Sequence, residues 1–161
     1  MLVKKSSVKT TREYFKWEIP EHYNIGVDVC DRLAALVPDQ VAILHDDGLQ
    51  VEEVTYDQLK CRSNALANLL QDIGVGAGDR IGILLPQNPW TAVAHIAAWK
   101  MGAISIPLFM LFGREALEYR LLDSSAKVVV TGVEGAAKIE QIRDQPRTAT
   151  TRAGARTIAL R

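Results

Sequence analysis

Three glycines at alternate positions, Gly74, Gly76 and Gly78, separate an apolar helical pattern from the apolar run Arg80-Ile-Gly-Ile-Leu-Leu85. Glycine-rich loops can hold phosphate because bare backbone amides converge on the anion. A phosphate loop, however, runs from a strand through the glycines into the N-terminus of a helix. Here the order is reversed, so the loop meets the C-terminal, electronegative end of a helix. The glycines are therefore expected to turn the chain, with Gly74 ending the helix in the left-handed conformation that glycine tolerates.

The remaining reactive residue types lack the company that chemistry needs. His22, His45 and His95 are far apart and have no ligand spacing with cysteine or carboxylate, so no metal site is expected. His95 falls in an apolar helix, where a packed, hydrogen-bonded imidazole is expected. Asp46-Asp47 and Glu52-Glu53 read as solvated turn and strand charges. Ser124-Ser125 lacks the Gly-x-Ser-x-Gly setting of a nucleophile elbow. Lys100, near the end of an apolar helix, is placed to meet the last helix carbonyls.

Nineteen basic residues balance nineteen acidic ones, so there is no overall field for nucleic acid. The two cysteines, Cys30 and Cys61, do not make a disulfide scaffold, and they fit a reducing, cytoplasmic setting. The first twenty residues carry charge throughout and have no signal-peptide core. Trp90 to Phe112 is apolar, but Lys100 near its centre costs roughly 3 kcal/mol to insert, and Gly102 and Pro107 interrupt a helix. A buried helix followed by a buried strand is expected there, with no membrane span.

These residues need elements to hold them. Asp28 precedes apolar positions Val29, Cys30, Leu33, Leu36 and Val37, which predicts a short helix stopped by Pro38. Val41-Ala-Ile-Leu44 and Val51-Glu-Glu-Val54 flank a Gly48 turn and predict a hairpin. Thr55 and Gln58 have capping-box spacing, opening a helix whose face is Leu59, Leu66, Leu69, Leu70 and Ile73. Arg80 to Leu85 predicts a strand covered on both faces. Asn88 and Pro89 open a helix ending near Gly102, and Ala103 to Ile106 is a strand. Arg114 to Asp123 is a helix, Lys127 to Thr131 a strand, and Glu134 to Arg143 a helix. Alternation of this kind predicts an α/β fold, a short β-hairpin followed by alternating helices and parallel strands.

The order and spacing of several short motifs carry more. Thr55-Tyr56-x-x-Leu59, Asn64-x-Leu66-Ala67, Gly74-Val75-x-x-Gly78-Asp79-Arg80, Leu85-Pro86-Gln87-Asn88-Pro89, Lys100-x-Gly102-Ala103, Ile106-Pro107-Leu108 and Leu117-x-Tyr119-Arg120-Leu121-x-Asp123-Ser124-x-Ala126-Lys127 occur in that order. Together they resemble the N-terminal region of the AMP-forming acyl-CoA synthetases, within the adenylate-forming, AMP-dependent synthetase and ligase family. The tract from Gln87 through Phe112-Gly113 is similar to the acetyl- and medium-chain acyl-CoA synthetase branch. Arg114 stands where related sequences commonly have proline.

The resemblance implies ATP, Mg and CoA as cofactors of the full-length family. A carboxylate attacks ATP to give acyl-adenylate and pyrophosphate, and the CoA thiol then displaces AMP. The family's Ser/Thr/Gly-rich loop ending in Pro-Lys-Gly, its Thr-Glu motif, its ribose-binding Asp and its C-terminal Lys all come later in family sequences and have no counterpart in these residues. The resemblance therefore carries no catalytic, cofactor-binding or metal residue onto this chain. The expected organisation is an N-terminal extension over 1–27, a partial N-terminal subdomain over 28–145, and a disordered basic tail over 146–161. The tail's four arginines and absence of acidic residues read as a frameshifted or degenerate frame, or as a natural short product. Self-association or a separate C-terminal ligase part are the expected partners.

Overall fold

The computed structural model describes residues 7–17, 20–143 and 156–160. A short helix α1 (Val8–Tyr14), capped by the Ser7 hydroxyl, stands at the start. A π-helical turn (Val27–Asp31) leads directly into α2 (Arg32–Leu36). Strands β1 (Val41–Asp46) and β2 (Val51–Thr55) form the expected antiparallel hairpin. Then follow α3 (Tyr56–Asp72), β3 (Arg80–Leu84), α4 (Pro89–Lys100), β4 (Ile104–Leu108), α5 (Arg114–Asp123), β5 (Val128–Thr131), α6 (Val133–Arg143) and β6 (Arg156–Ala159).

Local signals explain the helix starts. Thr55 Oγ1 accepts from the Gln58 amide while Gln58 Oε1 accepts from the Thr55 amide, a complete capping box. Asn88 accepts from the Trp90 amide, with Pro89 in the first turn of α4. The first predicted helix differs in its start. Helical backbone begins at Ile25, and Asn24, not Asp28, accepts from the Val27 amide. Asp28 instead pairs with Arg32 at 2.7 Å and accepts from the Tyr23 hydroxyl. Gly26 makes the early start possible: a Cβ there would meet the Lys100 backbone nitrogen at 2.9 Å.

Strands β4, β3, β5 and β6 form one parallel sheet in that order. The chain runs from β3 outward to β4, crosses back to β5 beside β3, and continues outward to β6. On one face, α3 and α4 pack Leu66, Leu70, Val93 and Ala97 against Ile81, Ile83, Val128 and Val130. On the other, Leu117 and Leu121 of α5 and Ile139 of α6 cover Leu84, Leu108 and Val129. Covered on both faces, β3 and β5 read as continuous apolar runs. Of the predicted face of α3, Leu59, Leu66 and Leu70 are buried, whereas Leu69 is exposed.

The expected tail is corrected at its end. Arg156 to Ala159 is the fourth parallel strand, joined to β5 by Arg156 N–H to the Lys127 carbonyl and Leu160 N–H to the Thr131 carbonyl. The pairing is long-range, so the surrounding basic and small residues hide it from local periodicity. Residues 146–155 lie outside the described residues. No helix among the described residues is long and apolar enough to cross a membrane.

Candidate functional site

The glycine loop is occupied by the protein itself. Gly74, at φ 86°, closes α3, with the Val75 amide donating back to the Leu70 carbonyl. The Gly76 amide donates to Asp79 Oδ2 at 2.8 Å, and the Gly78 amide donates to the Gly102 carbonyl. Lys127 Nζ then clamps the turn, donating to the Gly74 carbonyl at 2.7 Å and to Asp79 at 2.6 Å. The backbone donors a phosphate would need at Gly76 and Gly78 are thus committed to structure.

Lys127, with help from the Gly76 amide, holds the Asp79 carboxyl below its ordinary pKa. A carboxyl whose folded pKa is depressed stabilises the fold above its unfolded value, near pH 4. That contribution is lost as pH falls through the folded value. Acid unfolding monitored by circular dichroism should therefore show a smaller fall in stability below about pH 4 for Asp79→Asn than for the parent chain.

The other residues singled out are placed as follows. His95 is half-buried in α4, with Nδ1 3.1 Å from Ser105 Oγ on β4, and the Trp99 indole N–H donates to the same hydroxyl at 3.0 Å. Burial pushes the imidazole pKa down, so it is neutral and ties α4 to the sheet edge. Asp46 and Asp47 accept turn amides from Gly48, Leu49 and Gln50, and Glu52 pairs with Arg62 at 3.0 Å. The carbonyls of Ser124 and Ser125 accept from Arg80. No group of three or more metal-ligating side chains converges among the described residues.

Lys100 departs from the expected contact with helix carbonyls. Asn24 takes that place, donating to the carbonyls of Trp99 and Lys100. The Lys100 ammonium reaches across instead to Asp31 at 2.9 Å, Ser63 Oγ at 2.9 Å and Asn64 Oδ1 at 2.8 Å. Its side chain is only 8% exposed. All three donor positions of the ammonium are filled, so it pins α4, α3 and the π-helical turn together. Beside it, burial raises the Cys30 thiol pKa and keeps the thiol protonated. Periodicity places these residues on their elements; only the tertiary fold brings them together.

The topology also marks a place that motif reading missed. Strand order reverses between β3 and β5, and in open α/β sheets the crevice beyond the carboxyl ends of such strands is where ligands bind. Here the segments Leu85–Asn88 and Gly132–Glu134 border it. Thr131 is fully buried and donates to the Leu84 carbonyl at 2.7 Å, tying the two strand ends. Gly135 sits against this bond, since a Cβ there would lie 2.0 Å from Thr131 Oγ1. The Trp90 amide at the start of α4 is already taken by Asn88, and Lys138 donates to the Met110 carbonyl while pairing with Glu134. The Trp90 amide, the Thr131 hydroxyl and the Lys138 ammonium are thus engaged within the protein. The sequence signal for it was the alternation of helices and strands.

The family model described as AMP-binding enzyme matches residues 30–159, and so includes β6. The match runs past Gln145, where the motif resemblance stops. The acetyl-coenzyme A synthetase of Psychromonas ingrahamii is 38% identical over 135 residues, which are 83% of this chain and 21% of that protein. The acetyl-coenzyme A synthetase of Phycomyces blakesleeanus is 36% identical over 121 residues, 74% of this chain and 18% of the relative. The chain thus spans about a fifth of the length of these curated relatives. The crystal structure of Brucella canis acyl-CoA synthetase superposes with TM-score 0.71 at 32% identity, over 86% of this chain and 24% of that one. The N-terminal domain of FACL13 from Mycobacterium tuberculosis superposes with TM-score 0.74 at 26% identity, over 84% and 34%. This chain, with its parallel sheet, therefore belongs to the AMP-binding enzyme family and corresponds to the N-terminal region of its acyl-CoA synthetase relatives.

Proposed function

We propose that this chain is the N-terminal framework of an AMP-forming acyl-CoA ligase and does not catalyse adenylation by itself. The observation that carries the reading is coverage: the match to acetyl-coenzyme A synthetases takes in 83% of this chain and only 21% of the first relative. Adenylation needs donors for the triphosphate and charge to stabilise a pentavalent phosphorus. The family motifs that supply them have no counterpart in these residues. In the assembled ligase, ATP, Mg and CoA are held by the remaining family regions, and this part supplies the sheet on which they rest. The setting is reducing and cytoplasmic, and the pathway class is fatty-acid or acetate activation.

A second reading, an assembly module or one half of a split ligase, is favoured by the edges of the sheet. On β4, Ile104 N–H donates inward to the Asp79 carbonyl, so by alternation position 107 faces outward, and it is a proline with no N–H to offer. That edge is blunted. On β6, Arg156 and Leu160 donate inward, so the amides of Thr157 and Ala159 face outward, and no described strand pairs with them. Thr157 Oγ1 is also a buried side-chain oxygen with no hydrogen-bond partner among the described residues. A further strand is therefore expected to add at β6.

Mixing the chain with the Psychromonas ingrahamii enzyme shortened to begin after its matched region tests this. The expected result is acetyl-CoA formation by the mixture alone, abolished by Ala159→Pro. No turnover at saturating partner would remove the split-ligase reading, and turnover undiminished by Ala159→Pro would remove β6 as the seam.

A further inference from the structure

Charge is segregated along this chain. The first 17 residues hold five basic side chains, Lys4, Lys5, Lys9, Arg12 and Lys16, against the single acid Glu13. The rest of the chain therefore carries fourteen basic against eighteen acidic residues. The balanced total hides a local cationic segment of net charge +4.

No residue in the described part of that segment is fully buried. Helix α1 has no buried residue, and Val8 is 86% exposed. After α1 the backbone at Phe15 is extended. Phe15 and Trp17 pack edge to face, with ring centroids 4.9 Å apart, and Trp17 is 79% exposed. A preformed, exposed aromatic pair adjoins the described cations Lys9, Arg12 and Lys16 in sequence. Trp sits well at the headgroup level of a bilayer, and each basic residue near an anionic leaflet adds attraction of about 1 kcal/mol.

We propose that residues 7–17 are a peripheral docking segment for an anionic lipid bilayer, with Phe15 and Trp17 inserting at the headgroup boundary and Lys9, Arg12 and Lys16 pairing with lipid phosphates and carboxylates. Residues 18–145, with ten basic against eighteen acidic side chains, are repelled by the same surface. Docking is reversible and salt-dependent, because only one aromatic pair and a few screened charges hold it.

The test is co-sedimentation of the full chain with vesicles of phosphatidylcholine and phosphatidylserine, and with phosphatidylcholine alone. Binding is expected with the anionic vesicles only, and it should disappear in high salt. The triple charge reversal Lys9→Glu/Arg12→Glu/Lys16→Glu and the pair Phe15→Ser/Trp17→Ser should each lower partitioning by about tenfold or more. Neither should shift the unfolding midpoint, since none of these residues is buried. Absence of binding to anionic vesicles overturns the proposal, as does binding that either variant leaves intact or that neutral vesicles reproduce.

Discussion

Replacing Lys100 by methionine is expected to lower the stability of the fold by about 3 kcal/mol, a large part of what a single domain has. Methionine fills a similar volume and keeps helix propensity, so the loss isolates the ammonium. Without it Asp31 loses its cation, Asn64 Oδ1 loses a donor, and Ser63, which is fully buried, loses the donor at its Oγ. Breaking one side of a buried pair leaves the other uncompensated, which costs more than the pair contributes. The double variant Lys100→Met/Asp31→Leu should therefore be more stable than Lys100→Met alone. Urea unfolding with an unchanged m-value measures both. Equal stability of Lys100→Met and the parent would show that the cluster is not structural.

The second large effect is expected at Gly135→Ala. An added methyl would fall 2.0 Å from Thr131 Oγ1 and 3.1 Å from the Leu84 carbonyl. Thr131 has no exposed volume to move into, and its hydroxyl already donates to Leu84. Either the threonine rotates and gives up a buried hydrogen bond, or α6 shifts off β5. Overpacking and loss of such a bond together cost about 3 kcal/mol. The cycle with Thr131→Ala distinguishes the two. If the clash with Oγ1 dominates, the double variant is destabilised by clearly less than the sum of the singles. Additive losses would place the strain in the Leu84 backbone.

Much of this architecture was legible because it is local. The capping box at Thr55 and Gln58, the Asn88-Pro89 helix start and the hairpin around Gly48 are decided within a few residues. The continuous apolar strands could be read as doubly covered for the same reason. The orientation of the glycine loop was also readable from element order alone, and the structure shows its amides turned to Asp79 and Gly102.

What was not legible depends on distant partners. The helix start moves from Asp28 to Ile25 because Gly26 lies against Lys100, far along the chain. Lys100 leaves the carbonyls of its own helix for side chains 36, 37 and 69 residues away. Strand β6 is four residues in a basic stretch and becomes a strand through the ladder that β5 offers. The candidate crevice follows from strand order, which no single motif encodes, and its Thr131–Gly135 contact is a close approach visible only in three dimensions.

The most direct test of the framework reading is ATP–pyrophosphate exchange with acetate and longer carboxylic acids, using the chain purified through successive columns. Exchange at background level in every fraction holding the chain is the predicted result. Exchange that co-elutes with the chain at constant specific activity would contradict it, because adenylation would then reside within these 161 residues.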